Sequence, residues 1–579
     1  EYNYRRYFGM YETGEIGPWG TRAYISASHS SNDKYKGPGE IYKRQFNARI
    51  QQDLEGGNFI AASFHFNRNR NNFYRNATEA QWLTNGRNFD NLPLCARVPG
   101  VAGTRQDENA APNAGGTENV LNPSACTNYY GLRVNPSDTG NIRINSLWNL
   151  SDNLRLAIDP SFQYVLANGG GTQLANETPS ATNNADRRVV GNTTAVGFDL
   201  NGDGDVLDTV RFYTPSNTNT KRFGLNASLI YDMSDTQRLR VAYAFDYGKH
   251  RQTGAFGYLD ANGNPENVFG GRQGRVVRTA DNSFLRTRDR FSIAELNQIS
   301  AEYRGKFLDE KLTATIGVRA PFFKRELNQY CYTQNASGNV LCTTQSVTRV
   351  LPNGNVLLGS STTEYVPPFK AEAKFEEVLP NIGVTYALTD AHTIYASYAG
   401  GLSAPRTDNL YSVRRAADGS LARALPDPEE TDSFDIGWRY RSDALLASIA
   451  VWKSEFKNRI VSSFDPDLGF SVDRNVGAVD LQGADFQVGW QMNDWIVVNG
   501  SASYNDSELQ DNLQVSATGS IPLAGKRLVE TPEWTYAGRV ELRPFEGFNV
   551  GLEGKFVDER FTTDLNDAKV KSFTVYSLD

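Results

Sequence analysis

Phe434, Ile436, Trp438 and Tyr440 alternate with Asp435, Gly437, Arg439 and Arg441, so an extended chain here carries one greasy face and one charged or small face. The same period of two places Ala484, Phe486, Val488, Trp490 and Met492 against Asp485, Gln487, Gly489 and Gln491. It also places Leu239, Val241, Tyr243, Phe245 and Tyr247 against Arg238, Arg240, Ala242, Ala244 and Asp246, and Tyr536, Gly538, Val540 and Leu542 against Ala537, Arg539, Glu541 and Arg543. The texture runs through all 579 residues without a compositional break, so residues 1–579 read as one domain. No stretch approaches the ~18 to 20 uninterrupted apolar residues that a membrane-spanning helix needs. Lipid tolerates only structures that satisfy every backbone N–H and C=O internally. A closed sheet is then the membrane option, and a soluble all-β protein is its rival.

Strand length and connections separate the two. Many runs reach about 10 to 16 residues, longer than the ~5 or 6 of ordinary sheets and right for a tilted strand that crosses a bilayer. Short connections at 14–20, 53–57, 151–153 and 234–235 alternate with polar loops near 71–139, 167–219 and 252–290. This is the pattern of an all-β, transmembrane antiparallel up-and-down β-barrel with long extracellular loops. The runs number about 19; the first leads into a short turn and the last follows a long loop, so both point toward the periplasm. A single-chain barrel has an even strand number and keeps both ends on that side. One upward strand is therefore expected before residue 1, and one upward and one downward strand after Asp579, for about 22 strands in all.

Aromatic residues make up 12% of the chain, which suits strands and interfacial girdles. The net charge of −7 gives no support to nucleic acid as a partner, which would need a basic stripe or domain, so none is expected. The chain opens in a Tyr-rich strand-like run with no charged n-region or apolar h-region, so a leader peptide is expected to lie outside it. Four cysteines form two local pairs in polar loops, Cys95 with Cys126 and Cys331 with Cys342. Between the second pair, the turn-prone Asn335-Ala336-Ser337-Gly338-Asn339 would bring the sulfurs together. Disulfides in an oxidising compartment are expected; free thiols exposed in loops are the alternative.

From about residue 379 onward a series of short motifs follows in order. It runs from Leu379-Pro380-Asn381-Ile382-Gly383-Val384-Thr385-Tyr386 through Leu402-Ser403-Ala404-Pro405-Arg406 and Pro428-Glu429-Glu430-Thr431-Asp432. Val451-Trp452-Lys453-Ser454-Glu455-Phe456, Leu481-Gln482-Gly483-Ala484-Asp485 and Ala524-Gly525-Lys526-Arg527-Leu528 complete it. Each motif is weak alone, but the ordered set resembles the barrel of TonB-dependent outer-membrane receptors. The N-terminal Tyr11-Glu12-Thr13-Gly14 and Trp19-Gly20-Thr21-Arg22 are similar to strands of that family. The family's plug domain, its TonB-binding box and its closing strands are not matched in this chain. The resemblance implies a receptor in the bacterial outer membrane, in contact with lipid and lipopolysaccharide, that takes up a large scarce nutrient with energy delivered by TonB through the plug. It also implies a metal chelate as ligand, most often an iron-siderophore, with complex carbohydrate as the alternative. A passive porin and a surface glycan-binding β protein are the rival readings.

Two motifs stand out as sites. In Asp199-Leu200-Asn201-Gly202-Asp203-Gly204-Asp205-Val206-Leu207-Asp208, oxygen ligands alternate up to a glycine, as in an EF-hand calcium loop. Val210 stands where that loop carries its bidentate Glu, so Asp205 or Asp208 would have to compensate. No cofactor is required; a structural Ca²⁺ on Asp199, Asn201, Asp203, Asp205 and Asp208 is the candidate, and an ion-free cluster of Asx turns is the alternative. The second motif gathers Arg272, Arg275, Arg278, Arg286, Arg288 and Arg290 in one loop, with only Asp281 and Asp289 among them. Guanidinium forks suit phosphate or carboxylate, hence lipopolysaccharide or an anionic ligand; a solvated loop is the bland reading. Loop aromatics such as Trp82, Tyr129, Tyr130 and Tyr411 could stack on a ligand or pack the loops. An enzyme is not expected. His29, His65, His250 and His392 lie on different runs, and His250 with Asp246 sits about 13 Å apart along one strand face, too far for a dyad.

Overall fold

The computed structural model describes residues 2–95, 97–108, 126–179, 184–334, 340–415, 421–423, 426–465, 470–514 and 520–579. One antiparallel sheet dominates, built from 20 segments. Two of them, Phe369–Glu376 and Leu379–Ala387, pair with the same neighbour and form one interrupted stave, so the described wall has 19 staves. The first ten are β1 (Arg5–Ile16), β2 (Thr21–Asp33), β3 (Glu40–Asp53), β4 (Phe59–Asn71), β5 (Ser137–Ser151), β6 (Leu154–Gly169), β7 (Ser216–Ser234), β8 (Gln237–Ala255), β9 (Arg286–Phe307) and β10 (Leu312–Gln329). The interrupted stave is β11, followed by β12 (His392–Ser403), β13 (Glu429–Arg441), β14 (Leu445–Lys457), β15 (Val479–Asn493), β16 (Ile496–Leu509), β17 (Trp534–Phe545), β18 (Phe548–Val557) and β19 (Phe573–Leu578). Each stave pairs with its neighbours in chain order, which is the up-and-down topology. Among the described residues, β1 and β19 each have one sheet partner.

Connections at one end are short, at 17–20, 54–58, 152–153, 235–236, 308–311, 388–391, 442–444, 494–495 and 546–547. Those at the other end include 72–136, 170–215, 256–285, 330–368 and 404–428. The staves run further into the long-loop end than the alternation alone indicates. Arg286, Arg288 and Arg290 therefore belong to β9, not to a loop.

The two faces of the wall obey different physics. Ile436 is 63% exposed, Ile299 58% and Ile316 55%, in the middle of well-paired staves. An apolar surface of this extent is untenable in water and is what a lipid-facing belt requires. The opposite face carries ion pairs, such as Asp232 with both Arg155 (2.7 Å) and Arg238 (2.5 Å), and Arg222 with Asp246 (2.5 Å). The buried apolar clusters lie mostly beyond the wall, where the long loops meet.

Candidate functional site

Three long loops, 72–136, 170–215 and 256–285, fold together at one end of the wall. Phe212 and Phe256, 1% and 0% exposed, join Val189, Leu200, Val210, Val277 and Leu285 in one cluster. Burying each phenyl ring stabilises the assembly by roughly 1.5 to 3 kcal/mol. A second cluster joins the Cys95–Cys126 disulfide to Tyr129, Leu132, Tyr213 and Leu259. Burial pushes the Tyr129 hydroxyl up to about 12, and it donates to Asn264 Oδ1 at 2.7 Å. Cys331 and Cys342 form the other disulfide, in loop 330–368. The turn expected at Asn335–Asn339 lies outside the described residues. These loops are packed bodies, held over the mouth of the wall by cores of their own.

The acidic loop is organised around a residue that its spacing does not contain. Glu177, fully buried, accepts the Leu200 N–H on Oε1 at 2.7 Å and the Asp208 N–H on Oε2 at 3.0 Å. Burial pushes its carboxyl above the usual range, against the pull of those hydrogen bonds. Asp199 accepts the Gly202 and Gly204 N–H groups, Asn201 that of Asp203, Asp203 that of Asp205, and Asp205 that of Leu207. Asp205 and Asp208 also reach out of the loop to the Gly103 and Gln106 N–H groups, at 2.7 and 2.6 Å. Ligand oxygens of Glu177, Asp205 and Asp208 lie within 4.8 Å of one another, the set among the described residues that could hold a hard cation. Asp199 and Asp203 are not in that set. Val210, at the expected twelfth position, is 4% exposed and packs in the core.

The six arginines do not form one surface. Three are ion-paired: Arg275 with Glu266, Arg286 with Asp289, and Arg290 with Asp408 of loop 404–428. Arg272, Arg278 and Arg288 have no carboxylate within 4.0 Å among the described residues. Arg278 donates to the Asn282 carbonyl at 2.8 Å and Arg272 to Asn219 Oδ1 at 3.0 Å. Arg290, opposite Gln252 in the register, faces the lumen, and Arg288, beside a bulge in β9, interacts electrostatically with Arg290, Asp408 and His250 on the same side. There Arg288 donates to Ser216 Oγ at 2.8 Å. Arg290 lies over the Tyr411 ring at 4.5 Å, and the Tyr411 hydroxyl sits 2.8 Å from Ser292 Oγ. His250 Nδ1 lies 2.7 Å from Thr220 Oγ1 beside them. This gives a cationic, hydrogen-bonding patch at the lumen mouth, suited to an anion.

The remaining candidates are structural or dispersed. Tyr129 and Tyr411 are buried in loop cores, whereas Trp82, on the short helix Glu79–Asn85, is 52% exposed. His65 is bonded to Asn47 and His392 to Trp438, neutral partners on separate staves.

Residues 96–579 match the family model described as TonB dependent receptor-like, beta-barrel. The chain belongs to the TonB-dependent receptor family. Among solved structures, the siderophore receptor PiuA from Acinetobacter baumannii is similar at 15% identity and a TM-score of 0.61, over 100% of this chain and 73% of that one. The ferric-catecholate import receptor Fiu from Escherichia coli K12 is similar at 14% identity and 0.61, over 99% and 73%. The copper transporter OprC is similar at 13% identity and 0.59, over 96% and 67%. At these identities the likeness is one of fold. The family consists of outer-membrane receptors and transporters, not enzymes.

For this TonB-dependent receptor, two site residues escape a reading of spacing. Glu177 is remote from the acidic loop in sequence, and Asp408 reaches Arg290 across 118 residues. Neither carries a local signal; only the folding of the loops brings them in.

Proposed function

We propose that this receptor takes up an anionic ferric chelate of the siderophore class across the bacterial outer membrane, energised through TonB. The observation that carries the reading is Arg288, a half-buried guanidinium on the lumen face with no carboxylate of its own among the described residues. A desolvated, unneutralised guanidinium is poised for carboxylate or catecholate oxygens, and a neutral sugar has no use for it. Similar structures named as siderophore and ferric-catecholate receptors support the same cargo.

Equilibrium binding to the purified receptor tests it. A ferric catecholate or carboxylate chelate should bind wild type and weaken about ten- to a hundredfold in Arg288→Gln, the worth of one charge-assisted hydrogen bond. Tight binding of a neutral oligosaccharide, unchanged by Arg288→Gln, would replace this reading with carbohydrate uptake.

A further inference from the structure

Arg290 and Asp408 meet at the lumen mouth, but the two sides of that ion pair are unlike. The Arg290 side chain is 10% exposed and that of Asp408 57%. The guanidinium lies over the Tyr411 ring at 4.5 Å and donates through Nε to Gln252 Oε1, so the wall fixes one edge of its fork and the other meets Asp408. Arg290 is desolvated whatever its partner, whereas the carboxylate regains water as soon as it lets go.

The segment that carries Asp408 is held by other means. Leu410 and Tyr411, 0% and 3% exposed, pack against Leu327 of β10 and Phe369 of β11. The Tyr411 hydroxyl accepts the Asn328 N–H at 3.1 Å and donates to the Phe291 carbonyl at 3.1 Å. Asp408 is thus presented to the mouth by an anchor that does not need the ion pair. Its charge acts on Arg288 and Arg290 together, and on His250 beside them.

We propose that Asp408 is an internal substitute for the cargo anion: it occupies Arg290 while no cargo is bound, and a chelate binds by taking its place. This rests on the anionic-cargo reading above and adds a threshold to it. A carboxylate on a short tether competes at an effective concentration on the order of millimolar. The exchange costs every anion that needs Arg290 the same contact. A single carboxylate has little affinity to lose, because it must also meet the entropic cost of association. A chelate with several negative oxygens spans Arg288 and Arg290 at once, so it survives the exchange. Asp408 thereby reserves the patch for multiply charged ligands.

The test is equilibrium binding to the purified receptor of two probes, the ferric complex of catechol as a multiply charged anion and benzoate as a single carboxylate. Asp408→Asn keeps the shape of the side chain and removes its charge. It should bind both probes about tenfold tighter than wild type, which brings benzoate from undetectable to measurable. Asp408→Ala, which removes the group altogether, should move both affinities the same way. Asp427→Asn, at the far end of the same loop, should match wild type. Amide exchange at Tyr411 and Ser412, whose N–H groups bond Asp408 and Asn409 carbonyls, should be alike in wild type and Asp408→Asn, since the anchor holds the segment. Faster exchange there without a gain in affinity would make Asp408 a brace and overturn the proposal. Unchanged or weaker binding of the ferric complex in both Asp408 variants would overturn the competition and leave the anionic-cargo reading standing. Failure of every protein to bind either probe would overturn both.

Discussion

Glu177 accepts the amide hydrogen of Asp208 at 3.0 Å, across a loop that leaves and returns to the same buried carboxylate. The Leu200 N–H closes the other side of that clamp at 2.7 Å. Glu177→Ala strands these buried donors and should destabilise the loop by about 1 to 3 kcal/mol, read as faster hydrogen exchange at Leu200 and Asp208. Because the folded carboxyl titrates above its ordinary 4.5, the folded loop holds the proton more tightly than the unfolded one. Loop stability should therefore fall as pH rises from about 4.5 through the raised value, then level off. Exchange rates that ignore pH in that window would contradict the assignment.

Asp281 should show the opposite sign. Burial alone would raise its carboxyl, but hydrogen bonds from Thr279, Thr344, the Asn192 N–H and Ser283 outweigh that and hold it well below the ordinary 3.8. Its stabilisation is complete above 3.8 and is lost as pH falls from there toward the depressed value. Limited proteolysis by an acid-active protease should show loop 170–215 opening in this window in wild type, with less pH dependence in Asp281→Asn. Gly191→Ala should loosen the same junction at neutral pH: Gly191 has φ +56°, and an added Cβ would meet the Asp281 carboxyl.

The two faces of β17 give a sharper contrast. Val540 is 41% exposed and lies between Val498 and Leu552, whereas Ala537 shares the lumen face with Arg539 and Glu541. Val540→Arg should cost about 2 to 4 kcal/mol in a lipid-refolding titration if it lies at mid-membrane depth, and Ala537→Arg far less. Equal costs would remove the distinction between lipid and lumen.

Peptide mapping without reductant should recover Cys95 joined to Cys126 and Cys331 joined to Cys342. Crossed pairs would contradict the loop packing around Tyr129 and Leu132.

The wall was legible in the sequence because its period of two is a local property: Phe434 to Tyr440 announce their two faces without reference to any neighbour. Loop lengths, and with them the topology, were equally local. The loop ends were not. The region near 167–219 reads from its composition only as a polar loop, yet Phe212 and Val210 are buried there by partners at Phe256 and Leu285, more than forty residues away. The arginines show the same limit. Their number was plain in the sequence, but only the folded structure sets Arg288 beside Arg290, Asp408 and His250, and only loop folding brings Arg272 to Asn219. Charge count locates cations, whereas strand phase decides what they meet.

Energised import is read out by accumulation of iron-labelled chelate in cells producing the receptor. Uptake of an anionic ferric chelate should require both TonB and the proton gradient and fall steeply with Arg288→Gln. Receptor-dependent entry that persists without TonB or the gradient, or import of a neutral glycan with no chelate taken up, would contradict it.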